Sequence, residues 1–296
     1  MQGASVHVKC STLHYAGVFV FFPLPCSRSR RVIEELLNGR YSSPMSTDMQ
    51  NLKKLNFRAG CLHLVSFVLI LILSNDASLP VVATYLTEAP GTGNFSDPIN
   101  LFNLNISYMV AGFMALSAFF HFYICIPSTF KKYELNLSRG INTYRWVEYS
   151  ISSTLMIIVI LQLNGTSDYI ALLGIAGVNV CMILFGWLQE RYVKAGNGDL
   201  LPFWFGCFAG SIPWIATVFN LIAPKGPPES TTPGFVYGIV ISIFIFFNCF
   251  ALVQWKQYKA KGKWVNYLYG ERIYIVLSFV AKSLLAWQVY SGSLAS

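Results

Sequence analysis

Two side chains carry charge where an apolar environment is expected. Lys282 lies near the middle of an apolar run over 272–290, and Glu148 lies inside another over 144–163. An ammonium group that deep cannot easily reach an interface, so it needs a carboxylate partner or must lose its charge. Glu148 is the carboxylate well inside a span, which makes it the natural partner. A desolvated lysine is also a nucleophile. Its neutral amine adds to an aldehyde to give an imine, and a nearby carboxylate keeps that imine protonated. The same two residues are equally consistent with a plain interhelical salt bridge, as in many transporters.

The neighbours add to this picture. Ser278 lies one turn before Lys282 on the same helix face and can hydrogen-bond the nitrogen or the carboxylate. Ser152 and Leu155 share the face of Glu148, with Tyr149, Ser153 and Met156 beside it. Trp214 follows Pro213, the run Phe246–Phe250 is aromatic-rich, and Trp287 follows Lys282. An elongated polyene needs a slot with aromatic walls and few polar groups. Aromatic residues at helical spacing are more often ordinary packing, so only their combination with Lys282 is informative. Two further ionisable residues, His63 and His121, fall inside apolar runs. A lone histidine there is often a satisfied core residue, and two could hold a proton or bind a metal. Without a carboxylate or cysteine at ligand spacing they make a poor zinc site, and no metal is expected.

The elements that must position these residues are helices. Apolar runs at about 57–74, 104–126, 144–163, 169–188, 201–222, 234–255 and 272–290 are each long enough to cross a membrane. The expected fold is an all-α bundle of seven transmembrane helices. Only 11% of the 296 residues are charged and 54% are hydrophobic, with a mean hydropathy of +0.51. This balance excludes a disordered chain, a basic nucleic-acid-binding domain and an ordinary cytosolic enzyme. The seven cysteines contain no CxxC, and the last five sit in apolar runs as small core residues.

Charge sets the direction. Of the 21 Lys and Arg, 19 fall on the side of the N-terminus, Lys225 alone falls on the other, and Lys282 is inside a span. The rule that positive loops stay inside places the N-terminus in the cytoplasm and the C-terminus outside. Residues 1–48 read as a disordered extension, or as sequence upstream of a start at Met45 or Met49, leaving 49–296 as the membrane domain. Their basic cluster follows the short apolar stretch, where a signal peptide would have it first. The first outer loop, about 75–103, has β-forming residues at Val81–Leu86 and a turn signal at Gly91–Asn94. A small β-hairpin is expected there, with a glycosylation sequon at Asn94.

The segments Arg145-Trp-Val-Glu-Tyr-Ser150, Ser152–Met156 and Ser278-Phe-Val-Ala-Lys282 resemble the third- and seventh-helix signatures of heliorhodopsins. The resemblance runs from about Asn51 to the end and includes the inverted topology and the long first outer loop. It implies that Lys282 carries all-trans retinal as a protonated Schiff base, that Glu148 is its counterion and that Ser278 adjoins the imine. It implies that His63 and His121, with Ser117, form a hydrated polar cluster that holds the proton. Tyr149, Ser153, Met182, Trp214, Phe247, Asn248 and Trp287 become candidates for the retinal pocket. The first outer loop would form a small sheet and help build a homodimer.

An outward proton pump places a second carboxylate further along the helix of the counterion. Here the series from Glu148 continues as Ser152 and Val159, while Asp168, Glu190 and Glu271 lie near helix ends. The pattern fits a photosensor with a slow cycle in the plasma membrane, signalling to a cytoplasmic partner. The alternative is a light-gated or light-driven proton conductor, with Glu190 and Glu229 as relay groups. The basic residues Lys256, Lys259, Lys261 and Lys263 satisfy topology and meet anionic lipid. No nucleophile–base pair or phosphate loop points to an enzyme, and nothing points to nucleic acid.

Overall fold

Twenty to 26 residues of apolar character span hydrocarbon as a helix, and seven helices of this kind form among the described residues. The computed structural model describes residues 47–222 and 232–294. In chain order the elements are α1 (Thr47–Ile72), β1 (Ser78–Ala83), β2 (Ile99–Asn105), α2 (Ile106–Cys125), α3 (Pro127–Ser138), α4 (Thr143–Leu163), α5 (Tyr169–Tyr192), α6 (Leu201–Ile222), α7 (Gly234–Lys259) and α8 (Tyr267–Val289). A short 3₁₀ turn, Gly262–Val265, precedes α8 and a π turn, Tyr290–Leu294, follows it. The expectations for residues 1–46, and for Lys225 and Glu229, lie outside the described residues. Thr47 and Asp48, placed at the end of the extension, already belong to α1.

Polar side chains start the helices where the sequence turns. Asn105 caps α2, Asn142 caps α4, Asp168 caps α5 and Asn266 caps α8, each accepting from a backbone N–H of the first turn. Pro127 occupies the first turn of α3, where its missing N–H is harmless. The core is formed where the helices face one another, with Val110, Phe113, Ile157, Ile160, Ile243 and Leu285 buried. On the outside, Leu173, Phe208 and Ile215 are 68%, 73% and 62% exposed. Such large apolar surfaces are unfavourable in water and suit lipid.

Four helices run further than hydropathy indicates, all at the basic end of the bundle. α1 begins at Thr47 instead of 57, α5 ends at Tyr192 instead of 188, α7 ends at Lys259 instead of 255, and α8 begins at Tyr267 instead of 272. The added turns contain Lys, Gln, Glu and Arg, which are good helix formers but end an apolar run. The stretch read as the loop between the second and third spans contains α3, a 12-residue helix burying Thr129, Phe130, Tyr133 and Leu137. At the opposite end, β1 pairs antiparallel with β2 and a bulge separates Val81 from Val82. The strand begins earlier than expected, and the turn at Gly91–Asn94 forms with φ of 106° at Gly91 and 74° at Gly93. These values favour glycine, which has no Cβ. The Val82 N–H donates to Ser167 O at 2.9 Å and docks the hairpin against the loop before α5.

Candidate functional site

Lys282 on α8 and Glu148 on α4 meet inside the bundle. Nζ lies 2.5 Å from Glu148 Oε1, and the two residues are 4% and 5% exposed. Ser117 on α2 completes a triangle. Its Oγ accepts from Lys282 Nζ at 2.7 Å and donates to Glu148 Oε1 at 2.7 Å. Three helices thus converge on one buried charge pair. Each charge has a partner of opposite sign and a hydroxyl, which offsets the cost of leaving water. The Lys282 ammonium also lies 5.1 Å from the centroid of the Tyr149 ring.

Lys282 opens on a cavity of about 680 Å³ between α4, α5, α6, α7 and α8. Of the residues singled out in the sequence, Tyr149, Ser153, Met182, Trp214, Phe247, Asn248 and Ser278 line it together with Lys282. Trp214 packs edge-on against Phe244 and Phe247, with ring centroids 5.1 and 5.5 Å apart. Asn179 Nδ2 donates to Ser153 Oγ at 2.9 Å, and Asn248 Nδ2 turns back to Phe244 O at 2.8 Å. Gly210 makes room for Met182, whose Sδ would lie 2.5 Å from an added Cβ. Trp146, Phe250 and Tyr274 are further aromatic walls. Trp287 is not among the lining residues and packs instead against Tyr290 at 5.8 Å. Five residues beyond Lys282 on a helix, it points about 140° away from it. A buried primary amine on an apolar, aromatic cavity of this size fits a polyene aldehyde, since ligand pockets run to roughly 300–1,000 Å³.

Glu148 faces a second, smaller cavity of about 30 Å³, shared with Asn56, Ser117, His121, Arg145, Glu271, Tyr274 and Ser278. The two histidines stack nearby with ring centroids 5.6 Å apart. His121 Nδ1 lies 2.8 Å from Asn56 Oδ1, and His63 Nδ1 lies 3.3 Å from Met114 Sδ. Ser117, one turn from His121, bonds the charge pair itself.

A further cluster emerges at the basic end. Arg145, three residues before Glu148, makes ion pairs with Glu190 at 2.5 Å and with Glu271. Glu190 also accepts from the Asn142 backbone N–H at 2.8 Å, the Tyr267 hydroxyl at 2.6 Å and Trp146 Nε1. Glu271 accepts from Asn142 Nδ2 at 2.6 Å and from the Tyr133 hydroxyl at 3.1 Å. Burial, then the Glu271 charge, push the Tyr133 hydroxyl well above its usual range, so it remains a donor. Glu190 and Glu271 are only 4% and 2% exposed. They were expected near helix ends, with no further carboxylate well inside. The extra turns of α5 and α8 carry them into the protein, and hydropathy gives no signal of it because it falls where those turns lie. Asp168, by contrast, is engaged as the cap of α5, accepting from Ala171 N at 2.9 Å.

The heliorhodopsin family model matches residues 52–294. No curated protein matches the sequence. Among solved structures, the transmembrane domain and linker of the Salpingoeca rosetta rhodopsin phosphodiesterase superimposes with a TM-score of 0.60 at 12% identity, over 91% of this chain and 84% of that one. Cyanorhodopsin from the cyanobacterium Tolypothrix gives 0.57 at 11% identity, over 85% and 96%. The rhodopsin of Exiguobacterium sibiricum gives 0.54 at 15% identity, over 83% and 99%. These likenesses establish the fold, that of a microbial-rhodopsin helix bundle. The family and the seven apolar helices among the described residues make it an integral membrane protein.

Proposed function

Because the chain belongs to the heliorhodopsin family, whose chromophore is retinal, we propose that it is a light sensor with all-trans retinal on Lys282 as a protonated Schiff base and Glu148 as counterion. The observation that supports this most is the contact of 2.5 Å between Lys282 Nζ and Glu148 Oε1 beside a large aromatic cavity. Bound there, retinal supplies absorption of visible light and a light-driven change of shape.

The protein's own residues do the rest. Glu148 and Ser117 stabilise positive charge on the Lys282 nitrogen. Tyr149, Trp214 and Phe247 confine the chromophore, and Ser153, Met182, Asn248 and Ser278 complete the lining. When the pair weakens, the proton is retained in the polar region that begins at Ser117, His121 and His63. Towards the hairpin end, the helix of Glu148 offers Ser152 and then Val159, both buried, which gives a departing proton no carboxylate. The Lys and Arg distribution places the basic end in the cytoplasm, where a signalling partner would read it. The exposed Ile99, Leu101 and Phe102 of the hairpin suit a homodimer contact in the plasma membrane.

One observation favours a second reading as a proton conductor: the buried Glu190 and Glu271 supply groups able to relay a proton. The deciding experiment is a visible spectrum after addition of all-trans retinal, followed by illumination under voltage clamp. A visible band in the wild type, absent in Lys282→Ala, with no photocurrent, supports the sensor. A photocurrent supports the conductor. A band retained in Lys282→Ala refutes the attachment site.

A further inference from the structure

Arg145 is one positive charge between two buried carboxylates. With both ionised, the cluster holds a surplus negative charge in a poorly solvated place, and one added proton relieves it. The two acids are not equivalent. Glu190 is held by four donors, from Arg145, Trp146, Tyr267 and the Asn142 backbone at the start of α4, where the helix dipole also favours an anion. Glu271 is held by three, from Arg145, Asn142 and Tyr133. Only Glu271 of the two lines the small cavity that Glu148 also lines. On the wall of that cavity, Arg145 Nε and Tyr274 Oη are buried and make no hydrogen bond among the described residues. Its volume of about 30 Å³ and polar wall suit a bridging water.

The histidines offer a poorer destination. His63 faces a thioether, and His121 faces a neutral amide. Neither of these partners is a carboxylate, so a proton on either histidine gains no charge-assisted bond from them, whereas protonating Glu271 removes surplus charge.

We infer that Glu271 is the acceptor for the proton that leaves the Lys282–Glu148 pair on illumination, reached through the small polar cavity. This rests on the proposed roles of Lys282 and Glu148. The balance is simple. The N–H bond at Lys282 breaks, an O–H bond forms on Glu271, and the net charge of the Arg145 cluster rises by one. Neutral Glu271 holds Arg145 less tightly and is a weaker acceptor for Tyr133, one of the residues that tie the surface helix α3 to the bundle.

The test is light-minus-dark infrared difference spectroscopy on the retinal-loaded protein. The expected result is a new carboxylic-acid C=O band that appears as the visible band shifts to the blue. It should move in D2O, persist in Glu190→Gln, vanish in Glu271→Gln and change frequency in Tyr133→Phe. Should Glu271→Gln not assemble, Tyr133→Phe alone carries the test, because it leaves the carboxyl in place and alters only its hydrogen bond. A band unchanged in both variants, or no new band in the wild type while the visible shift occurs, overturns the assignment. A protein with no visible band, or with one surviving Lys282→Ala, instead overturns the parent reading and this one with it.

Discussion

Lys282 Nζ and Glu148 Oε1 lie 2.5 Å apart, and both are bridged by the Ser117 hydroxyl. The negative charge of Glu148 favours the protonated form of the Lys282 nitrogen. In Glu148→Gln that form is expected to lose its proton at lower pH. Breaking a buried ion pair costs about 3–5 kcal/mol, equivalent to a fall of about two to four pH units. An absorbance titration of the retinal-loaded protein measures it. A titration midpoint within half a unit of wild type would make another group the counterion.

Ser117→Ala removes a hydrogen bond from each charge and leaves the ions in place. Hydrogen bonds to charged groups contribute about 1.5–3 kcal/mol, so the midpoint should fall by about one to two units, less than for Glu148→Gln. Ser117 Oγ can also donate to Phe113 O at 3.0 Å, but the carboxylate is closer and charged. A Ser117→Ala effect larger than that of Glu148→Gln would contradict this ordering.

What the sequence makes legible follows from where polarity is out of place. Lys282 and Glu148 stand out because a charge interrupts apolar residues, and the family signature covers the same segments. Seven spans are legible because each apolar run is long. Trp287 was misleading, since residue type was weighed without the angle it makes with Lys282. Glu190 and Glu271 were illegible for the opposite reason. They sit at the boundaries where hydropathy falls, and a polar helix end reads like a solvated loop. Only the longer α5 and α8, and Arg145 between them, turn those ends into an interior. α3 is hidden likewise, because Lys131, Lys132 and Glu134 mask a face on which Phe130 and Tyr133 are buried.

Gly186 and Gly177 lie on the same helix in different surroundings. A Cβ at Gly186 would lie 2.6 Å from the buried Trp146 ring, while one at Gly177 meets nothing within 4 Å. Alanine gains about 1 kcal/mol of helix propensity at either site. At Gly186 a rigid ring must move, and it also donates to Glu190, so overpacking of about 1–3 kcal/mol should outweigh the gain. Gly186→Ala is expected to lower the midpoint of thermal bleaching by several degrees, and Gly177→Ala to leave it unchanged or slightly raised. Equal midpoints for the two variants would mean that Trp146 yields without cost.

The surplus charge around Arg145 gives a rank order of stabilities. Arg145→Gln leaves two buried carboxylates facing each other without a cation, and removing one partner of a buried pair costs about 3–5 kcal/mol. Glu271→Gln leaves Arg145 paired with Glu190, and its amide oxygen can still accept from Asn142 and Tyr133. Its cost is the difference between a charged and a neutral hydrogen bond, about 1 kcal/mol, offset in part by relief of repulsion from Glu190. Thermal bleaching in detergent should therefore place Arg145→Gln far below wild type and Glu271→Gln close to it. An Arg145→Gln variant no less stable than wild type would mean that the cluster holds no surplus negative charge in the dark, with Glu271 already protonated. It would also leave Glu271 with no capacity to take up a further proton.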